Sequence, residues 1–332
     1  MKRSLITNGV RIVDSVSKLG SRLDGGLIPA VPVPFDEAGR LHAKAQDSYL
    51  HYMAKQPVAG VAVWVHTGRG LLLDDETALR VLRDWRSALN DRVLIAGAGA
   101  AGDETPERAT ARAIAMAERA AKEGADALLI YAPTWLRDHA QRDRLIVEYH
   151  ARLADVGLPL VLFYLYEGAG GLNYNHAVLN DLLAHPSVIG IKMATLDSVM
   201  TYQDVARLMT RHHPDKLLIT GEDRFLGYSL RRGARAALIG MGAICCAMQA
   251  ELVNCHLRGD AARFLTLSDK ADLLAESIFI RPMEGYITRL LWSLVHLDII
   301  PLAAAHDPWG PQLPRREFEA VGRTLAALEQ VC

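Results

Sequence analysis

The chain has 332 residues, half of them apolar and 23% charged, a balance typical of a globular protein with a substantial buried core. A formal net charge of −1 removes any electrostatic reason to expect nucleic acid or an anionic membrane as a partner. No apolar run reaches the length of a bilayer span, and Asn8, Arg11 and Asp14 interrupt any candidate signal segment, so a cytoplasmic location is expected. The four cysteines (Cys245, Cys246, Cys255 and Cys332) show no metal-ligand spacing and read as reduced thiols. No H-E-x-x-H or similar pattern organises the histidines, and His212-His213 reads as a polar pair between helix and strand, so no metal is expected.

In chain order, short β-rich runs alternate with longer helical patterns. The strand candidates are Leu27 to Val33, Val58 to Val65, Val93 to Ala96, Ala127 to Tyr131, Leu160 to Tyr164, Val188 to Lys192, Leu217 to Thr220 and Ala236 to Gly240. Most are apolar on both faces, as parallel strands covered on both sides require. Helix starts are marked by Asp74-Asp75-Glu76 and by Thr105-Pro106-Glu107, and a further helix is expected from near His139 to Leu153. Eight such units at about 30-residue spacing fit a (β/α)8 TIM barrel better than an open doubly wound sheet. After Met248 the β pattern stops and the chain reads as helical, broken by Pro282, Pro301 and the prolines from Pro308 to Pro314. The expected organisation is an extension over 1–24, the barrel over 25–250 and a small C-terminal helical part over 251–332.

Two strand ends carry candidate chemistry. Lys192 closes Val188-Ile-Gly-Ile-Lys192; strict alternation puts Val188, Gly190 and Lys192 on one face and lets the amine lean into the barrel mouth. Burial there disfavours the ammonium and yields the neutral amine that attacks a carbonyl. The bland alternative is a lysine that ends a strand and extends to water. Tyr164 ends the preceding strand, so both residues are expected at the C-terminal rim, where barrel active sites lie. A phenol there can pass protons; its bland alternative is a hydroxyl in water.

These residues and their setting resemble the dihydrodipicolinate synthase / N-acetylneuraminate lyase family of Schiff-base-forming class I aldolases, over about Gly26 to Ala250. Leu27-Ile-Pro-Ala-Val-Pro-Val-Pro-Phe35 looks like its first strand, and Gly97-Ala-Gly99 like its third-strand glycine loop. Tyr164 and Ile189-Gly-Ile-Lys192 resemble its catalytic tyrosine and Schiff-base lysine at the family's 28-residue separation, and Gly221-Glu-Asp223 its seventh-strand turn. The resemblance implies a substrate such as pyruvate, no metal or dissociable cofactor, and a homotetramer or homodimer. It also implies that Thr67 and amides near Gly68 hold the substrate carboxylate, and that Glu222 or Asp223 touches the distal part of a second substrate.

Several positions depart from the family pattern. Its Gly-Thr-Thr-Gly-Glu corresponds here to Val65-His66-Thr67-Gly68-Arg69, which puts a proton-carrying or packing imidazole and a cation where a threonine and a glutamate stand. Arg69 reads either as an inverted ion pair or as a contact to an acidic substrate. Trp135 stands for a second tyrosine and cannot shuttle protons, leaving packing or substrate contact. Ala169 occupies the place of an arginine that binds the acceptor's carboxylate. Together these changes argue against dihydrodipicolinate synthesis itself while leaving Schiff-base formation intact. Two other readings compete: a non-catalytic regulatory protein on the same barrel, and a dinucleotide-dependent oxidoreductase raised by Gly97-Ala-Gly-Ala-Ala-Gly102. Against the latter, the helix start is postponed past the last glycine to Thr105-Pro106.

Overall fold

The computed structural model describes residues 2–102, 105–196, 198–328 and 332, with side chains described from residue 12 onward. The first helix, α1 (Lys2–Leu23), leads into eight strands: β1 (Leu27–Pro29), β2 (Gly60–Val63), β3 (Val93–Ala98), β4 (Ala127–Ile130), β5 (Leu160–Leu165), β6 (Val188–Ala194), β7 (Leu217–Thr220) and β8 (Ala236–Ile239). All pair in parallel in the order β1-β8-β7-β6-β5-β4-β3-β2. The ring closes where Ala30 bridges Ala62 and the Val31 amide donates to the Ala62 carbonyl at 3.2 Å. The strands are followed in turn by α2 (Ala43–Ala54), α3 (Asp75–Leu89), α4 (Pro106–Lys122), α5 (Arg142–Ala154), α6 (His176–Ala184), α7 (Val199–His212), α8 (Leu226–Arg231) and α9 (Cys246–Arg258). Three more helices, α10 (Ala261–Ile278), α11 (Tyr286–His296) and α12 (Arg315–Ala327), form the C-terminal helical part. The architecture is the (β/α)8 barrel expected from the alternation.

Local signals set the helix starts. Asp74 caps α3 by accepting from the Thr77 amide at 2.8 Å, and Thr105 caps α4 with Pro106 in its first turn. The helix expected from His139 begins only at Arg142, because His139 to Gln141 form a turn in which His139 Nδ1 accepts from the Gln141 amide. α9, the helix after β8, runs across position 250 without a break.

Side chains alternate between two cores. Ile28, Ala62, Ile95, Leu129, Val161, Phe163, Ile219 and Leu238 fill the lumen. Their strand neighbours Leu27, Val61, Leu94, Leu128, Leu162 and Ile239 pack outward on the helices. One irregularity breaks the alternation. Leu160 pairs with Val188 but Val161 pairs with Gly190, so β6 carries an extra residue. Val188 therefore joins the outer core while Lys192 turns inward, which corrects the expectation that the two share a face.

The extension packs on the barrel as a plug. Leu19 and Leu23 join the lumen cluster, Gly20 lies beside Ile189, and the Gly25 amide donates to the Arg235 carbonyl just ahead of β8. Every one of these contacts falls at a strand start, so α1 stops the N-terminal mouth. A buried leucine contributes roughly 1.5–3 kcal/mol there. The cysteines also differ from expectation: Cys245 and Cys332 form a disulfide, and only Cys246 and Cys255 are free thiols. Their separation of 87 residues is bridged because the C-terminal helices fold back onto the barrel, which no local spacing announces.

Candidate active site

At the C-terminal mouth, β6 delivers Lys192 into the lumen, where the residue is 6% exposed. Its partner across the ladder is Phe163, and Nζ stands 4.5 Å from the centre of that ring. On the other side Gly221 gives the lysine stem its room: a Cβ there would lie 2.6 Å from Lys192 Cε. Burial pushes the lysine pKa down, opposed by the carboxylates of Asp223 and Glu222. Burial equally pushes the Asp223 carboxyl up, so desolvation dominates both members of the pair and favours their uncharged forms.

The two acids that follow Gly221 differ in task. Asp223 lines the lysine cavity and accepts the Met241 amide at 2.7 Å, which fixes its carboxylate beside the end of β8. Glu222 is fully buried and accepts from the Thr195 amide, the Thr195 hydroxyl and the Leu196 amide at 2.7–2.8 Å. Its oxygens are spent clamping the end of β6. Of the two carboxylates expected at a second substrate, only Asp223 faces the cavity.

The turn after β2 builds the opposite wall. Trp64 takes a left-handed conformation (φ 57°), a strain of roughly 1–2 kcal/mol for a non-glycine residue. Two bonds hold it: its indole donates to the Ala78 carbonyl at 2.8 Å, and the Tyr131 hydroxyl donates to the Trp64 carbonyl at 3.0 Å. His66 and Thr67 are thereby carried into the cavity. The Gly68 amide donates to the Val65 carbonyl and the Arg69 amide to the His66 carbonyl, so these amides close the turn instead of cradling a substrate carboxylate.

The C-terminal helical part supplies the remaining wall, through Phe279, Met283, Glu284 and Tyr286. The Thr67 and Tyr286 hydroxyls hydrogen-bond at 3.0 Å, and the Tyr286 ring stacks between Phe279 and His66. Arg69 reaches from the turn to two acids, with Nη1 2.6 Å from Glu284 and Nη2 2.6 Å from Asp307. Glu284 also meets His66 Nε2 at 2.9 Å. Burial alone would raise the Glu284 carboxyl, but His66 and Arg69 together pull it down to about 2. Arg69 is therefore an ion-paired strut between barrel and C-terminal segment. None of Phe163, Glu284, Tyr286 and Asp307 was singled out in the sequence.

A cavity of about 30 Å³ surrounds the lysine. It shares His66, Phe163, Leu165 and Ala169 with a wider cleft of about 280 Å³. That cleft is walled by Leu71, Leu72, Ala100, Ala132 and the glycines at 170 and 171, with Tyr131 and Thr134 from the end of β4.

Two expected site residues lie elsewhere. Tyr164 follows the outward phase of β5: it packs edge-on to Tyr174 and donates to Asn173 Oδ1 at 3.0 Å, in the core between barrel and helices. The lumen-facing ring of β5 is Phe163, which has no proton to give. Trp135 packs edge-on against Tyr149 of α5 and does not line the cleft. The Gly97 to Gly102 motif is likewise occupied from within. Gly97 and Gly99 make space for Trp64 and the Tyr131 ring, and α4 starts only at Pro106, so no helix end meets a pyrophosphate there.

A parallel barrel with one desolvated lysine at its C-terminal mouth, flanked by a carboxyl and paired hydroxyls, is the architecture of a lysine-dependent aldolase or lyase. Comparison with known proteins agrees. Residues 24–321 match the model of the dihydrodipicolinate synthetase family. The 4-hydroxy-tetrahydrodipicolinate synthase of Stenotrophomonas maltophilia (strain R551-3) is 30% identical over 292 residues, 85% of this chain and 93% of the relative. Among solved structures, the prophage protein YagE of E. coli K12, of the dihydrodipicolinic acid synthase family and in complex with pyruvate, superposes with TM-score 0.80 at 19% identity, covering 92% of this chain and 99% of that one. The sialic acid aldolase of Ruminococcus gnavus gives 0.78 at 16%, covering 93% and 99%. The chain belongs to the dihydrodipicolinate synthetase family, whose members are class I lyases and aldolases that use a lysine Schiff base and no separate cofactor.

Proposed function

We propose that this protein joins Lys192 to pyruvate or a related 2-oxo acid and uses the resulting iminium to form or cleave a bond at the adjacent carbon. The observation that carries the reading is the lysine itself: buried in the lumen, its amine is held toward the uncharged, nucleophilic form. Asp223, whose own acidity is weakened by the same burial, lines the same cavity and interacts electrostatically with that amine. Thr67 lines the same cavity and turns toward the bound acid the hydroxyl that it shares with Tyr286. The iminium then withdraws electrons from the neighbouring carbon, which loses a proton or a carbon substituent. A buried amine of this kind weighs against a purely regulatory role.

The second substrate enters along the wider cleft. Its walls are mostly leucine, alanine and glycine, with His66, Tyr131 and Thr134 as uncharged or weakly basic exceptions, and the one arginine among the described residues that line it, Arg69, is taken up by Asp307 and Glu284. The cleft thus suits an acceptor or leaving aldehyde without a carboxylate of its own. That feature, with Ala169 in place of a cation, argues against the reaction for which the relatives are named. The relatives' names themselves do not support that exclusion. The enzyme is taken to be a cytoplasmic homo-oligomer on the strength of the family resemblance.

Sodium borohydride added with pyruvate should leave a stable adduct that peptide mapping places on Lys192. If a panel of 2-oxo acids leaves every lysine unmodified, the Schiff-base reading is wrong. Rapid condensation with a carboxylate-bearing aldehyde would overturn the narrower statement about the second substrate and leave the first intact.

A further inference from the structure

A Schiff-base cycle needs a group that gives and takes protons beside the imine, and the phenol expected from β5 faces away from it. Phe163 takes the lumen position next to Lys192 and carries no exchangeable proton. Among the described residues at the lysine cavity, one pair of hydroxyls is already joined: Thr67 and Tyr286, 3.0 Å apart. Tyr286 comes from the first turn of α11, outside the strand set. Its ring is held between Phe279 (centroids 4.8 Å apart) and His66 (6.3 Å), and lies against Gly240 at the end of β8, so its hydroxyl has one fixed direction. Arg69 and its two acid partners tie the flanking Glu284 to the β2 turn, which keeps donor and barrel in register.

We propose that Tyr286, relayed through Thr67, is the catalytic acid–base group of the Lys192 imine, so that the C-terminal helical part completes the chemistry of the barrel. The inference rests on the Schiff-base reading above. As the Lys192 nitrogen bonds to the 2-oxo carbon, the carbonyl electron pair moves to oxygen, which takes the Tyr286 proton. The surplus proton on nitrogen returns through the Thr67 hydroxyl to the phenolate, leaving a neutral carbinolamine. Tyr286 then protonates the carbinolamine hydroxyl, which departs as water while the nitrogen lone pair closes the iminium. The phenolate next removes a proton from the methyl carbon and the enamine forms. Burial holds the free phenol neutral, and the cationic iminium beside it is what permits the transient phenolate.

Pyruvate alone tests this, because enamine formation exchanges its methyl protons with deuterium oxide, a change followed by proton NMR. Tyr286→Phe should slow that exchange about 100-fold or more, the usual scale of a lost acid–base group. The fraction of Lys192 trapped by borohydride at equilibrium should change less than about threefold, a split that a merely structural tyrosine would not produce. Thr67→Val should impair exchange as strongly, and Thr67→Ser should restore it to within about tenfold of the parent. Unchanged exchange in Tyr286→Phe, or a collapse in Tyr166→Phe alone, the other phenol that lines the lysine cavity, would overturn the assignment while leaving the Lys192 adduct standing. No adduct in the parent protein would remove both readings together.

Discussion

The two mouths of the barrel use burial to opposite ends. The N-terminal mouth is closed by Leu19 and Leu23 of α1 against Ile28, Val93, Ile189 and Leu217, a wholly aliphatic contact. At the C-terminal mouth the lining includes Lys192, Asp223, His66, Glu284 and Tyr286, in a cavity closed by Phe279 and Met283. Removing water from the first set contributes stability in proportion to apolar area. Removing it from the second set moves proton affinities and leaves charges that need partners. One ring of strands therefore keeps a structural end and a chemical end, separated by the packed lumen side chains.

The largest expected effect tests the chemical end: Lys192→Ala should abolish the borohydride adduct and lower turnover by more than about a thousandfold, measured with any accepted 2-oxo acid. The sign of the pH dependence follows from the lysine's depressed pKa. The free amine grows as pH rises through that value, so the rate of adduct formation should climb to a plateau at an inflection below the ordinary 10.5. An inflection at the ordinary value would mean the amine is solvated. Next comes Asp307→Asn, which leaves the buried Arg69 guanidinium short of a charge partner; chemical denaturation should show a loss of about 3 kcal/mol, together with weaker substrate binding. Leu23→Ala should cost about 2–4 kcal/mol and leave the pH profile untouched, which would confirm that the ends are separable. Smallest of all, Tyr164→Phe should cost no more than about 1.5 kcal/mol and change turnover less than about twofold, because its hydroxyl meets Asn173 and the Tyr174 backbone, outside the lumen. A large kinetic defect there would restore the strand-five phenol to the site.

Much of this was legible in the residues. Alternating apolar runs and capped helix starts give the barrel, and the lysine near the end of its sixth strand is where the fold opens its C-terminal mouth. The side chosen by Tyr164 was not legible, because Leu160 to Leu165 is apolar or aromatic throughout and offers no polar–apolar phase. The extra residue in β6 hides in the same way, since only pairing with β5 reveals it. Tyr286 and Glu284 lie more than 200 residues from their partners Thr67 and His66, at 219 and 218. Only the fold brings them together. The one local hint was a polar Glu284-Gly285-Tyr286 step opening an otherwise apolar helical stretch.

The bond between Cys245 and Cys332 turns that stretch into a covalent loop, with Tyr286 and Glu284 inside it and both ends fastened just beyond β8. An unfolded molecule therefore cannot let this flap of chain drift from the barrel rim: part of the search for its docking place is already complete before collapse begins. Reductants in the surroundings would open the loop and lengthen that search each time the molecule refolds.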